Sequence, residues 1–199
     1  MPGFSATIQS YLDALPRAED SYPECSVKAS LVRNAVADKP IPSSFALPTV
    51  VRALVDAPPP VSVWVSEVHF NVVMYAIREH HFGGDRDAFL SWVYAQNRKL
   101  FDTTLYRAIF FVVSPERLLV NMEKRWGSFR TGTELRHRSL APKHLELIVR
   151  APANLYTLEV ADGMSVAVRA AIDAAGANAS VVTPSISSPT EVRFDIVWK

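Results

Sequence analysis

Basic and aromatic side chains are concentrated in one part of the sequence, "KRWGSFRTGTELRHR", which we call the basic segment (residues 124–138). Lysine and arginine bind phosphates and carboxylates, and aromatic rings can stack on a ligand or enter a pocket of a partner. The basic segment therefore predicts a contact surface for an anion or a protein partner. The residues that we expect to form it are Lys124, Arg125, Trp126 and Arg130.

Two other interpretations of the basic segment stay open. Trp126 and Phe129 are three residues apart, so both rings could instead close the core where a helix meets a sheet. The segment could also bind nucleic acid. However, the whole chain has a net charge of only +1 and a pI near 7.9, which argues against a nucleic-acid-binding protein.

The stretch "EVHFNVVMYAIREHH" (residues 67–81) has the composition of a metal-binding helix, but its spacing argues against a metal site. In a helix, His69 and His80 would lie about 16 Å apart, whereas the ligands of one metal ion lie about 2 Å from it. His80 and His81 are adjacent and point about 100° apart, so they cannot chelate together. We predict no metal site.

We find no catalytic motif in the sequence. Glycine-rich phosphate loops and the G-x-S-x-G nucleophile motif are absent, and the single cysteine, Cys25, lies in a proline-flanked linker. One cysteine is typical of a reducing cytoplasm. The sequence also shows neither a signal peptide nor an apolar run of the roughly 20 residues that span a bilayer. We therefore predict a cytoplasmic, non-enzymatic protein without a cofactor or a membrane span.

The elements that position these residues fall into two groups along the chain. Apolar residues first recur at helical spacing. After Gly132 the pattern changes to alternation, which predicts two strands, a helix and two more strands. The fold class is therefore α+β, with an N-terminal helical layer followed by a β-β-α-β-β antiparallel sheet of about four strands. We expect residues 1–25 to be an arm and linker, and residues 26–199 to be one domain. The predicted helices lie within residues 5–15, 26–38, 48–55, 61–82 and 85–101, in the buried segment 102–113, and from Ser114 onward.

Six strings of the sequence are distinctive: "WVSEVHF" (64–70), "HFGGD" (81–85), "FLSWVYAQNRKLF" (89–101), "LYRAIFFVVSPERLL" (105–119), "RWGSFRTGT" (125–133) and "VRFDIVW" (192–198). Together, over roughly residues 28–198, the chain resembles a domain family of unknown function that is expanded among myxobacteria. In its order of helices and sheet, that family is distantly similar to haem-nitric-oxide-binding domains, four-vinyl-reductase domains and the small subunits of TRAPP tethering complexes.

The resemblance implies an apolar pocket between the helical layer and the sheet; a filled core is the alternative interpretation of the same residues. Haem-nitric-oxide-binding domains use a proximal histidine and a Tyr-x-Ser-x-Arg motif, and this motif is absent here, which argues against haem. We thus expect a bacterial sensory or interaction module that binds a small apolar ligand or a protein partner and can form a homodimer. The residues that would line the pocket are Phe70, Met74, Tyr75, Phe89, Trp92, Tyr106 and Phe110.

Overall fold

The computed structural model describes residues 3–101, 114–177 and 180–199. They divide into two compact units, which are described separately below. The N-terminal unit comprises Met1–Arg86 together with Ser128–Gly132, and the C-terminal unit comprises Asp87–Gly127 together with Thr133–Lys199. The N-terminal unit is thus completed by five residues that come from far along the chain.

Helices form most of the N-terminal unit. In the first helix the predicted apolar spacing is confirmed, because Ile8, Tyr11 and Leu12 are buried. Asn71 Nδ2 donates a 2.9 Å hydrogen bond to Tyr11 Oη, which ties the first helix to the fourth. The α-helices described in this unit are α1 (Ala6–Asp13), α2 (Ala29–Asp38), α3 (Thr49–Asp56) and α4 (Glu67–Phe82).

A small antiparallel sheet also belongs to the N-terminal unit, and it was not predicted. It consists of β1 (Ser26–Lys28), β2 (Trp64–Ser66) and β3 (Arg130–Thr131), in the order β2-β1-β3. Val27, at its centre, pairs with Val65 and with Arg130 and is fully buried. The helices predicted at 26–38 and 61–82 begin later than expected, because β1 and β2 occupy residues near their starts. Strands of two or three residues are too short to show an alternating pattern in the sequence.

The C-terminal unit confirms the predicted β-β-α-β-β order. Its four strands form one antiparallel sheet in the order β4-β5-β7-β6, and α7 packs against β6. The predicted helix at 102–113 lies outside the described residues. The elements are α5 (Arg86–Phe101, of which Arg86 belongs to the other unit), α6 (Pro115–Arg125), β4 (Glu134–Ala141), β5 (His144–Arg150), α7 (Leu158–Ala174), β6 (Val181–Ser188) and β7 (Glu191–Val197).

The two faces of the four-stranded sheet differ in chemistry. Apolar side chains alternate onto one face and are buried, including Leu147, Phe194 and Ile196. Charged side chains occupy the other face, where Arg138, Glu146 and Asp195 lie in one row across three strands. Trp198, just after β7, is buried as its place in the alternation predicts.

Predicted helix boundaries are confirmed at two places. Ser114 caps α6 by accepting a hydrogen bond from the backbone N–H of Arg117 at 3.4 Å, and Pro115 follows as the first helical residue. Gly83 ends α4 with φ of 58°, the left-handed conformation that glycine adopts without strain. Among the helices of the described residues, none has the length and apolar character needed to cross a membrane.

Candidate functional site

Helix α4 is the most deeply buried helix of the N-terminal unit, and one of its faces keeps partial exposure. Within its central part, Phe70 and Met74 are half-buried apolar side chains. Together with Glu67 they are spaced i, i+3 and i+7, so the three residues share one face of the helix. The fully buried residues of α4 are Glu67, Val68, Asn71, Val72, Val73, Tyr75, Ala76 and Ile77.

Glu67 begins α4 and is completely buried, which is exceptional for a carboxylate. Arg130 Nη1, from β3, donates a hydrogen bond to Glu67 Oε1, and the arginine side chain is only 12% exposed. The other oxygen, Glu67 Oε2, is buried without a hydrogen-bond partner among the described residues. A buried acceptor without a partner is uncommon in a native protein and needs an explanation.

The backbone around this ion pair leaves little room for change. The Glu67 backbone N–H donates to the Cys25 carbonyl oxygen at 3.0 Å, and Cys25 Sγ donates to the Gly132 carbonyl oxygen at 3.4 Å. Gly132 has φ of +71°, and a Cβ atom there would lie 2.6 Å from the Glu24 carbonyl oxygen. Only glycine fits this position, so the turn after β3 is fixed next to Arg130.

Two groups near this region that could do chemistry are held in their neutral forms. Burial, together with the Glu24 charge, raises the pKa of the Cys25 thiol to about 11, so the reactive thiolate is scarce at neutral pH. Burial also lowers the pKa of His69, although the hydrogen bond to the Glu19 carbonyl and the nearby acidic residues oppose this effect. Cys25 and His69 therefore have structural roles.

The residues predicted to line an apolar pocket lie on different elements. Phe70, Met74 and Tyr75 are on α4 in the N-terminal unit, where Tyr75 is buried and its ring centroid lies 5.2 Å from that of Tyr11. They surround the helix instead of sharing one face, since Tyr75 points away from the Phe70 and Met74 side.

The other predicted pocket residues are outside the N-terminal unit or outside the described residues. Phe89 and Trp92 are on α5 in the C-terminal unit, with ring centroids 5.8 Å apart. Phe89 is buried and Trp92 is half-buried. Tyr106 and Phe110 lie outside the described residues, so a pocket lined by all seven residues stays a prediction.

The basic segment contributes to both units. Lys124 and Arg125 are exposed in the last turn of α6, where positive charge interacts favourably with the helix dipole. Trp126 is half-buried, and its Nε1–H donates to Thr133 Oγ1 at 2.9 Å. Arg130 belongs to the N-terminal unit and pairs with Glu67. Phe129 is 49% exposed, so its ring does not close the core.

A hydrogen-bonded carboxylate that was not predicted from the sequence, Glu123, lies between α6 and β4. Glu123 Oε2 accepts from the His137 backbone N–H at 3.1 Å and lies 2.5 Å from His137 Nδ1, while Arg136 Nη1 donates to Glu123 Oε1 at 3.2 Å. These contacts, above all the His137 side chain, lower the pKa of Glu123. No sequence signal marks them, since surface Glu, His and Arg residues are common.

The resemblance to haem-nitric-oxide-binding domains raises haem as a ligand, and the Tyr-x-Ser-x-Arg motif of those domains is absent from this chain. Haem iron needs an available imidazole nitrogen or a thiolate. All five histidines of the chain are in the described part, and Cys25 is a buried neutral thiol. The histidine rings contact Glu19 O (His69), Phe45 and His81 (His80), Pro40 O (His81), Glu123 (His137) and Asp195 (His144).

Metal coordination by several side chains is not supported either. Within residues 3–101, 114–177 and 180–199, no three His, Cys, Asp or Glu residues are grouped closely enough to hold a metal ion. The best candidate for a binding site is therefore the face of α4 that carries the buried Glu67 carboxylate and the half-buried Phe70 and Met74.

The fold is similar to that of solved H-NOX domains. An H-NOX protein from S. oneidensis, in the Fe(II)NO ligation state, has a TM-score of 0.55 and 11% identity, covering 86% of this chain and 99% of its own. The Fe(II) unliganded H-NOX protein from K. algicida has a TM-score of 0.53 and 11% identity, with 86% and 96% covered. At this identity, the likeness shows a shared H-NOX-like fold.

A third structure, an oxygen-binding H-NOX domain related to soluble guanylate cyclases, has a TM-score of 0.50 and 9% identity and covers 96% of this chain and 90% of its own. The sequence matches no curated protein. Residues 61–199, about two thirds of the chain, match a family described as "Protein of unknown function (DUF2378)". The chain therefore belongs to the DUF2378 family.

Proposed function

We propose that this protein is a non-enzymatic, cytoplasmic sensory module that binds a small apolar ligand. The observation that carries the proposal is the partial exposure of Phe70 and Met74 in the middle of α4, a helix whose other central residues are mostly buried. Apolar side chains that stay incompletely covered on a core helix are a suitable surface for an apolar molecule. The expected absence of enzymatic activity rests on the lack of a catalytic motif in the sequence.

The H-NOX-like fold supports the same proposal by analogy. Two of the similar structures are described as binding nitric oxide or oxygen, which are small and apolar. The Tyr-x-Ser-x-Arg motif is absent from this chain, so the ligand that we propose contacts the protein directly. Fold similarity alone does not define function, and a direct test of binding is needed.

Native mass spectrometry provides that test. The protein purified from its own host, or from rich medium, should carry an added small mass that is lost on denaturation. In the double variant Phe70→Ser and Met74→Ser the added mass should be absent. Val50→Ser, which changes an exposed apolar residue on α3, is the control and should retain it.

An unmodified native mass for the wild type, with no binding of added apolar compounds, would contradict the proposal. The same spectrum tests the predicted homodimer, whose mass would be twice 22.1 kDa. A dimer without an added mass would favour a protein-docking module instead.

A second candidate function is binding of an acidic partner by the basic segment. Lys124 and Arg125 are exposed, and neither forms an ion pair with another described residue. If the partner is nucleic acid, binding of a fluorescent oligonucleotide should weaken steeply as salt rises and be lost in Lys124→Glu with Arg125→Glu. Absence of binding at low salt would exclude that class of partner.

A further inference from the structure

Exposed apolar side chains of the N-terminal unit are concentrated beside its small sheet. Val61, Val63, Trp64 and Phe129, which we call the apolar patch, are between 37% and 59% exposed. In the described part of this unit, Val50 on α3 is the only other large apolar side chain with comparable exposure. Single exposed apolar residues are ordinary in proteins, whereas a group of them is typical of a surface that binds another molecule.

The register of the small sheet places a lysine between the two aromatic rings of the apolar patch. Lys28 on β1 pairs directly with Trp64 on β2, and its backbone N–H donates to the carbonyl oxygen of Phe129, just before β3, at 3.2 Å. Directly opposite residues of antiparallel strands have their side chains on the same face of the sheet. Trp64, Lys28 and Phe129 therefore form one row, on the face opposite to buried Val27.

The loop that carries the two valines is held in one conformation. Three consecutive prolines, at 58–60, precede Val61, and proline fixes the backbone angle φ. The Val63 N–H donates to the Pro60 carbonyl oxygen at 2.9 Å, and Arg33 Nη1 donates to the Pro58 carbonyl oxygen at 2.6 Å. A surface that is already ordered loses little conformational freedom when a partner binds, which favours affinity.

The charge of the apolar patch comes from Lys28. Its ammonium nitrogen lies 3.8 Å from the centroid of the Trp64 ring and donates to the Ser62 carbonyl oxygen at 3.0 Å. Lys28 forms no ion pair with a carboxylate of the described residues. The same holds for the exposed Arg33, whose guanidinium donates to two proline carbonyl oxygens of the neighbouring loop. Positive charge beside an apolar surface complements a partner that is negatively charged.

A second copy of the chain and a membrane fit this surface less well. In a symmetric dimer the same patch faces itself, so the two copies of Lys28 would approach and repel each other. Recognition of anionic lipid typically uses clusters of about four to eight basic residues, whereas the described residues place Lys28 and Arg33 here. A polypeptide partner needs one carboxylate near Lys28 and an apolar side chain for the rings.

We propose that the apolar patch docks an acidic segment of a partner protein. A carboxylate of the partner pairs with Lys28 Nζ, and an aliphatic or aromatic side chain next to that carboxylate packs on Trp64 and Phe129. The neighbouring row of the same face carries hydroxyl groups, including those of Ser26 and Thr131, whose oxygens lie 2.7 Å apart. They provide the polar rim that surrounds the apolar centre of a protein interface.

Selection from a library of random peptides tests both the surface and the chemistry of the partner. Phage that display the peptides are selected on the full-length wild type and counter-selected on the double variant Trp64→Ser with Phe129→Ser. We expect the enriched peptides to combine Asp or Glu with Leu, Phe or Trp. The dissociation constant of the most enriched peptide, carrying a fluorescent label, is then measured by anisotropy.

Variants of Lys28 separate the contribution of charge from that of packing. Lys28→Glu should weaken binding of the labelled peptide at least about tenfold, because a charged hydrogen bond is replaced by repulsion. Lys28→Arg keeps the charge and can stack on the Trp64 ring, so it should keep most of the affinity. Val50→Ser, outside the patch, is the control and should bind like the wild type. Circular dichroism checks that each variant is folded, and Lys28→Glu replaces the double variant in counter-selection if the latter is not.

Several results would overturn this proposal. One is that no peptide is enriched on the wild type; another is that enriched peptides lack acidic residues or bind Lys28→Glu as tightly as the wild type. Binding of phosphatidylserine vesicles that is lost in the double variant, without peptide enrichment, would assign the patch to a membrane. A wild-type dimer that dissociates in the double variant, in sedimentation velocity, would assign it to a second copy. None of these results depends on Phe70 or Met74, so the proposed ligand site is tested separately.

Discussion

Each unit holds a carboxylate paired with arginine, and the two ion pairs differ most in the exposure of their arginines. Glu67 in the N-terminal unit is fully buried and has a single arginine on one oxygen. Glu146, on the outer face of the four-stranded sheet, contacts Arg138 at 2.9 Å and Arg193 at 3.6 Å, and these arginines are 58% and 38% exposed. Glu146 itself is only 12% exposed, so the two ion pairs differ mainly in how far water reaches the arginines.

Solvent explains the difference between these two ion pairs. On the sheet face, water reaches and screens the arginine charges, and Glu146 keeps one arginine when the other is lost, so a single ion pair contributes about 0–1 kcal/mol. Glu67 has no exposed surface and Arg130 keeps only 12%, so a lost partner would leave a charge in a medium of low dielectric. The sheet face therefore tolerates change, and the region around Glu67 does not.

The largest effect is expected from Arg130→Met, which leaves Glu67 buried without its cation. Breaking a buried ion pair in this way costs about 3–5 kcal/mol, and the loss should appear as a lower midpoint in urea-induced unfolding. The double variant Glu67→Met with Arg130→Met is the control, because it removes the charge as well and should recover most of the stability. Equal stability of the single variant and the wild type would show that Glu67 is not effectively buried.

Gly132→Ala should have the next largest effect, in the turn that follows Arg130. The left-handed φ costs a non-glycine residue about 1–2 kcal/mol, and overpacking adds about 1–3 kcal/mol, so we expect a loss of about 3 kcal/mol. The new Cβ would lie 2.7 Å from Cys25 Sγ. Gly127→Ala is the matched control, since nothing lies within 4 Å of its added Cβ. Thermal unfolding of both variants checks this prediction.

A smaller, pH-dependent loss of stability is expected when Glu123 is replaced, because Glu123 is neither fully buried like Glu67 nor paired only with strongly exposed arginines. Its pKa is lowered from 4.5, chiefly by the His137 hydrogen bond. A lowered acid pKa stabilises the folded state above pH 4.5, and this contribution is lost as the pH falls through the folded-state value. Glu123→Gln should therefore be less stable than the wild type at pH 7, and the two should converge in acid.

The control for this prediction is Glu116→Gln on the same helix, because Glu116 makes no ion pair with the described residues. At pH 7 its stability difference from the wild type in urea-induced unfolding should be smaller than that of Glu123→Gln. A difference for Glu123→Gln that grew toward low pH would contradict the assigned hydrogen bonds.

The smallest effect is expected for Arg138→Ala on the sheet face. Arg138 is 58% exposed, and its partner Glu146 also contacts Arg193, so the change in unfolding free energy should stay within about 1 kcal/mol. High salt should reduce this small effect further. A loss comparable to that of Arg130→Met would show that the sheet face is not open to water and would remove the contrast between the units.

The regular elements of the C-terminal unit could be predicted because their signals are local. Seven alternating residues were enough to place Phe194, Ile196 and Trp198 on the buried side of β7 and beyond it. Ser114 followed by Pro115 indicated where α6 begins. In each case the residues that carry the pattern are neighbours in the chain.

How much of the candidate site could be predicted differs between its residues. The resemblance placed Phe70 and Met74 in an apolar pocket, which stays a prediction. Glu67 was not singled out, since a glutamate in the first turn of a helix is usually exposed and interacts with the dipole. Arg130 was assigned to a surface with Lys124 and Arg125 because the three are close in sequence, but it pairs with Glu67, which is 63 residues away.

By itself, the sequence of this DUF2378 protein determined the β-β-α-β-β order of the C-terminal unit, the buried side of β7 and the lack of known catalytic motifs. These properties follow from side-chain periodicity and from residue types over short distances. Only the tertiary structure decided that β1, β2 and β3 pair and that Arg130 meets a buried Glu67. Such contacts join distant segments, and the burial that gives Glu67 its chemistry exists only once these segments are folded together.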